Sequence, residues 1–130
     1  MIKLKYIKRI PAILYCVLIV FLSNQSRLPA IFYKTSDKVE HLVEYFILAL
    51  LVYFGWGFFR KTRNKILLLL VLFGVADELH QLFIPGRVAS VSDALADTAG
   101  VIIAYFFLKV QTDKNIYWYN FSGRDNKTRN

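Results

Sequence analysis

The chain has 130 residues, 56% of them hydrophobic and 16% aromatic, with a formal net charge of +8 and a mean hydropathy of +0.40. A soluble domain of this length has too little interior to hide so much apolar surface, whereas a small helical membrane protein leaves it in lipid. The Lys and Arg residues sit in short runs beside apolar segments and form no single stripe, so nucleic acid is excluded as the expected partner.

The first 26 residues resemble a signal peptide, with Lys3, Lys5, Lys8 and Arg9 ahead of an apolar stretch. No small-x-small cleavage site follows, so the segment is expected to stay as a first transmembrane helix over about residues 9–24, with Pro11 tolerated in its first turn. It is short for a hydrocarbon layer that needs about 20 helical residues. The lone Cys16 inside it is a packing residue and says nothing of redox compartment.

A second helix is expected over about 36–59, N-capped by Ser36 or Asp37 and apolar from Leu42 to Phe59 except at Glu44, Gly55 and Gly57. A third spans about 64–84: apolar from Ile66 to Ala76, polar at Asp77, Glu78, His80 and Gln81, and stopped by Pro85-Gly86. A fourth runs over about 91–110, with Ser90 or Ser92 as cap and Asp93 in its first turn. Ala96, Gly100 and Ala104 recur every four residues along it, a small-residue stripe on which another helix can pack closely. Residues 1–110 thus read as one membrane domain and 111–130 as a cytoplasmic polar tail whose Tyr117, Trp118, Tyr119 and Phe121 suit a membrane interface.

The expected fold class is all-α: a polytopic four-transmembrane-helix bundle. With the N-terminus inside, thirteen of the seventeen Lys and Arg residues fall on inner segments, and only Arg27, Lys34, Lys38 and Arg87 lie outside. The positive-inside rule then places both termini in the cytoplasm of a bacterial inner membrane.

Seven of the nine carboxylates, Asp37, Glu40, Glu44, Asp77, Glu78, Asp93 and Asp97, would gather at the outer end of that bundle. An ionisable group near the middle of a membrane helix is unfavourable by about 2.5–3.5 kcal/mol, so such groups read as functional. Spacings of three and four put Asp37, His41, Glu44 and Tyr45 on one helix face. Asp77, Glu78 and Gln81 make a second patch, with His80 about 100° to the side of Gln81 on a 3.6-residue helix. Asp93, Asp97 and Gly100 make a third.

Asp37, Glu40, Glu44 and Asp93 near helix starts also suit solvated residues favoured by the helix dipole. Asp77, Glu78 and Asp97 lie deeper and need donors or a cation, for which Arg87 is the first expected partner, His41 the next and Lys38 a third. A metal held by His41, Glu44, Glu78, His80 and Asp97 is the sharpest chemical alternative, but no His-Glu-x-x-His pattern is present, so no metal ligand is assigned and the cofactor is left open. Ser90 and Ser92 have no nucleophile-elbow motif around them. The Arg87 fork with the start of the last helix suits an anionic head group.

The stretch Asp37-Lys38-x-x-His41-x-x-x-Tyr45 resembles the first motif of VanZ-like proteins. The block Asp77-Glu78-x-His80-Gln81, Pro85-Gly86-Arg87, Ser90, Asp93, Asp97 and Gly100 is similar to their second, and Ser23-Asn24-Gln25-Ser26 to their Ser-rich segment. The likeness covers about residues 10–108; Asp97 departs from it, standing where the family usually carries Asn. The resemblance implies a bacterial membrane protein, in a family named for a member associated with low-level teicoplanin resistance. It supports importance for Asp37, His41, Tyr45, Glu78, Gln81, Arg87, Asp93 and Gly100 without assigning a reaction.

Three functions follow as expectations. The first is binding or handling of an anionic envelope lipid or cell-wall precursor through Asp37, His41, Tyr45, Glu78, Gln81, Arg87, Asp93 and Asp97. The second is an intramembrane hydrolase or transferase with His41, Glu78 and Asp93 as catalytic candidates. The third is a structural role for the polar network.

Overall fold

The computed structural model describes residues 4–25, 37–57 and 62–125. Among them there is no strand. A single helical turn, α1 (Leu4–Ile7), precedes four longer helices: α2 (Ile10–Ser23), α3 (Asp37–Trp56), α4 (Arg63–Gln81) and α5 (Val91–Asp125). Ser36, one of the expected caps of α3, lies outside the described residues, as does the side chain of Asp37.

Local chemistry sets the helix ends. Pro11 stands in the first turn of α2, where its missing N–H is not needed. The expected end of α3 at residue 59 is wrong by a few residues. Gly57 takes φ 85° and donates its N–H to the Tyr53 carbonyl at 2.7 Å, a left-handed glycine that ends the helix at Trp56. The expected end of the last helix at 110 is also too early, because α5 continues to Asp125. Polarity after Val110 marks where an apolar span stops, not where helical hydrogen bonding must stop, and no proline interrupts that stretch.

α4 gives way to a tight turn at Ile84-Pro85-Gly86-Arg87. Arg87 N–H donates to the Ile84 carbonyl at 3.1 Å and Gly86 has φ 82°. Proline second and a positive-φ glycine third make a type II turn. Gly86→Ala is therefore expected to destabilise by about 1–2 kcal/mol, read as a lower unfolding temperature in detergent.

α3 and α5 pack most extensively, and Gly100 shows why. A Cβ built there would run into the carbonyl oxygen and carbon of Leu42, and would lie 2.9 Å from the Phe46 amide nitrogen. Ala104 and Val101 next to it are completely buried. They join Ile19, Tyr45, Leu48, Ala49, Tyr53, Ile66 and Leu70 in one apolar core. Phe46 meets Phe107 edge-on at 6.5 Å, adding an aromatic contact to the same interface.

The outside of the bundle is greasy. Leu14, Val17 and Phe21 on α2, Phe54 on α3 and Leu69 on α4 are all more than half exposed. A water-soluble chain rarely leaves so large a continuous apolar surface uncovered. Lys38–Trp56 and Val91–Lys114 are long and apolar enough to cross a membrane by length and composition; α2 is apolar but has 14 residues.

The two ends of the bundle differ. At one, α2 starts and α3 finishes: the Arg9 guanidinium lies 4.8 Å from the Trp56 ring centroid, and Gly55 packs against the backbone of Lys8 and Arg9. At the other, α2 and α4 finish while α3 and α5 begin. Among the described residues, almost all of the buried polar side chains are there.

Candidate functional site

Buried polar side chains at this end are Ser23 from α2, His41 from α3, Asp77, Glu78 and Gln81 from α4, and Asp93 and Asp97 from α5. From each of the three faces read from helical spacing, one residue meets the others: His41, Glu78 and Asp97. Each is turned inward because its helix buries the same stripe that continues into the apolar core: His41 leads to Tyr45 and Leu48, Asp97 to Gly100, Val101 and Ala104.

His41 is the hub. Its Nδ1 donates to Asp97 Oδ1 at 2.9 Å and lies 3.8 Å from Glu78 Oε1. Glu78 reaches across to the connection before α5, where its Oε2 accepts the Ser90 backbone N–H at 2.9 Å. Ser90 occupies the N-cap position of α5, its carbonyl accepting from Asp93 and Ala94, and its hydroxyl pairs with that of Ser92 at 2.6 Å. Lys38 Nζ pairs with Asp93 Oδ1 at 3.1 Å; the lysine side chain is 54% exposed and the aspartate 7%. Asp93 thus has its carboxyl inside the bundle and its partner at the rim.

A second polar group sits beside the first. Ser23 Oγ lies 2.8 Å from both Asp77 carboxylate oxygens, and Gln81 Nε2 donates to Oδ2 at 3.3 Å. The Ser23 hydroxyl thus ties the end of α2 to α4, and Gln81 holds the same carboxylate from one turn further along α4. Removing the hydroxyl in Ser23→Ala is expected to lower stability by about 1 kcal/mol, in line with interhelical hydrogen bonds in membranes. Thermal unfolding of the detergent-solubilised protein measures it. Ser23 was legible only as part of a Ser-rich helix end; that its target is Asp77 depends on how α2 leans on α4.

Two expectations need correction. Arg87 does not pair with the buried carboxylates: its Nε donates to the Gln25 carbonyl at 3.1 Å and its Nη2 to the Leu22 carbonyl at 2.8 Å. The type II turn folds the guanidinium back over the end of α2, where the Leu22 carbonyl also accepts the Gln25 N–H at 3.0 Å and the helix dipole favours a cation. His80 is exposed, with Nε2 3.0 Å from Asn24 Oδ1, and lies apart from His41. The 100° step from Gln81 that separates them on α4 carries it to the surface.

Tyr45 is completely buried, with its ring 6.1 Å from that of Phe73. Its hydroxyl has no hydrogen-bond partner among the described residues, nor do Glu78 Oε1 and Asp97 Oδ2. Gly74 makes room for this cluster: a Cβ there would stand 3.1 Å from Asp97 Cβ and 3.2 Å from Tyr45 Cε1. Next to it, between α2 and α3, lies a groove of about 410 Å³ lined by Leu22, Val39, Glu40, Val43 and Glu44. His41, Glu78 and Asp93 each offer an atom within 4.8 Å of the others, close enough to share one ion.

An all-helical chain with lipid-compatible outer faces, two helices of membrane-crossing length and an acid–histidine cluster between its helix ends has the character of a membrane protein. The chain belongs to the VanZ/LLP1 family, whose model matches residues 9–112. That match takes in every buried polar residue described above. Neither the curated proteins nor the solved structures include a chain similar to this one.

Proposed function

We propose that this protein is a four-span inner-membrane protein of bacteria, with both termini cytoplasmic, that binds and handles the head group of an envelope lipid or lipid-linked cell-wall precursor from the outer leaflet. The observation that carries this reading is the groove between α2 and α3, which joins apolar walls (Leu22, Val39, Val43) to two carboxylates (Glu40, Glu44) beside the buried polar cluster. Such a groove matches a ligand with an acyl chain at one end and a polar head at the other. Its carboxylates suit an ammonium on that head, while Arg87 is already spent on the end of α2. The excess of Lys and Arg on the segments assigned inside supports the orientation.

Native mass spectrometry of protein extracted gently from its own membrane tests the reading. A retained lipid or precursor is expected, with retention weakened in Glu44→Gln and kept in His41→Gln. Protein that carries only detergent, and that takes up no amine-bearing phospholipid when titrated, contradicts it. A protein holding such a head group alters how much glycopeptide target is exposed, so teicoplanin susceptibility is the cellular phenotype to follow.

A second reading rests on the His41–Asp97 bond. A histidine oriented by a carboxylate is the arrangement of a general base, and Glu78 beside it offers a second proton carrier. In an intramembrane hydrolase or transferase of this kind, His41→Gln removes turnover and leaves lipid retention intact.

A further inference from the structure

We propose that His41, Glu78 and Asp93 form a binding site for a divalent transition-metal ion of the zinc or manganese class, with Asp97 orienting the histidine and Lys38 closing the site when the ion is away. This goes beyond the head-group reading and stands whether or not a lipid binds.

Three helices bring the ligands: α3 supplies the imidazole, α4 and α5 one carboxylate each, and one donor atom from each lies within 4.8 Å of the other two. Ligands on a zinc ion bond at about 2.0–2.2 Å. The three donor atoms, up to 4.8 Å apart, therefore close inward when an ion is held between them. One nitrogen and two carboxylate oxygens suit zinc or manganese better than magnesium, which prefers an all-oxygen shell rich in water.

Two observations beyond the grouping of acids point to a cation. The first is a buried oxygen without a donor. Glu78 is 5% exposed, its Oε2 is satisfied by the Ser90 amide, and its Oε1 faces His41 with no hydrogen-bond partner among the described residues. Leaving such an oxygen unmet inside a bundle is unfavourable, and a metal ion meets it. Asp97 Oδ2, in a residue 1% exposed, is unmet in the same way.

The second observation is the partner Asp93 has instead. Lys38 comes from the rim, more than half exposed, to put its ammonium 3.1 Å from Asp93 Oδ1. Three carboxyl groups, Glu78, Asp93 and Asp97, thus meet one imidazole and one tethered ammonium. Lys38 holds the place of a positive charge and can swing out to solvent when a stronger one arrives. Asp97 takes the part that an outer carboxylate plays at metal-bound histidines, fixing the ring through Nδ1.

Tag-free protein in mild detergent, stripped with chelator and titrated with zinc chloride and then manganese chloride, tests the site by calorimetry, elemental analysis and thermal unfolding. One ion per chain is expected, raising the unfolding temperature. His41→Ala is expected to weaken binding by more than the about 10–100-fold that follows loss of an outer partner. Lys38→Gln is expected to tighten it, since the competing ammonium is gone; a merely structural network has no reason to do so. Asp93→Asn serves if His41→Ala does not fold. No uptake of either ion by folded wild-type protein overturns the proposal. So does binding that survives in His41→Ala and is lost in His80→Ala, which would place the ion on the exposed histidine.

Discussion

Gly100→Leu is expected to abolish the folded protein, and Gly100→Ala to lower its yield sharply. The Leu42 carbonyl and the Phe46 amide of α3 occupy the space where the first side-chain carbon would go. Both are backbone atoms, so no rotamer change relieves the contact; α3 and α5 have to separate. Overpacking a core usually destabilises by about 1–3 kcal/mol, and a clash with a helix backbone lies at or above the top of that range. Separation also pulls His41 on α3 away from Asp97 on α5, so loss of packing and loss of the site should arrive together. Size-exclusion profiles and unfolding temperatures in detergent, with Gly100→Ser as a graded intermediate, check this. A Gly100→Ala protein of wild-type stability would show that the helices do not approach as closely as described.

His41→Ala is the second large effect. It leaves Asp97, 1% exposed, without the ring that donates to it, and takes away the imidazole nitrogen 3.8 Å from Glu78 Oε1. Removing one partner of a buried hydrogen bond destabilises by about 1–3 kcal/mol, and by more when the acceptor left behind is a carboxylate. His41→Ala combined with Asp97→Ala is expected to recover much of that loss, since the orphaned carboxylate goes too. Asp97→Asn by itself should be mild: an amide oxygen accepts from Nδ1 as a carboxylate oxygen does. Chemical unfolding of the four proteins in one detergent forms the double-mutant cycle. An additive result would mean that His41 and Asp97 do not interact as the 2.9 Å contact requires.

Asp97→Asn also separates two roles for the same cluster. If the carboxyl charge matters to a bound cation, the variant folds normally and loses function. If the network serves packing alone, it folds and functions normally. The hydrogen bond is common to both, so only the charge is under test.

The identity of the helices and the composition of the site were legible in the chain. Helical periodicity is a local property, so His41 with Tyr45, Asp77 with Gln81, and Asp93 with Asp97 and Gly100 had to share faces in any helix built from these residues. The interval of Ala96, Gly100 and Ala104 and the Pro85-Gly86 pair likewise announced a close crossing and a turn through short-range sterics. Gly57 carried the signal for the end of α3, and an apolar run drawn through it hid that signal.

What the chain alone could not decide was the pairing. A count of charges made Arg87 the natural partner of the buried acids. Tertiary structure gave that place to His41 and Lys38 and sent Arg87 to the carbonyls of Leu22 and Gln25. Those choices turn on a few ångströms of helix rotation and on the direction in which one type II turn leaves α4. Hydrogen bonds and ion pairs fall away over that same distance, whereas hydrophobic periodicity tolerates it. Which faces are polar is therefore written along each helix, but which polar atoms meet exists only once four helices have packed.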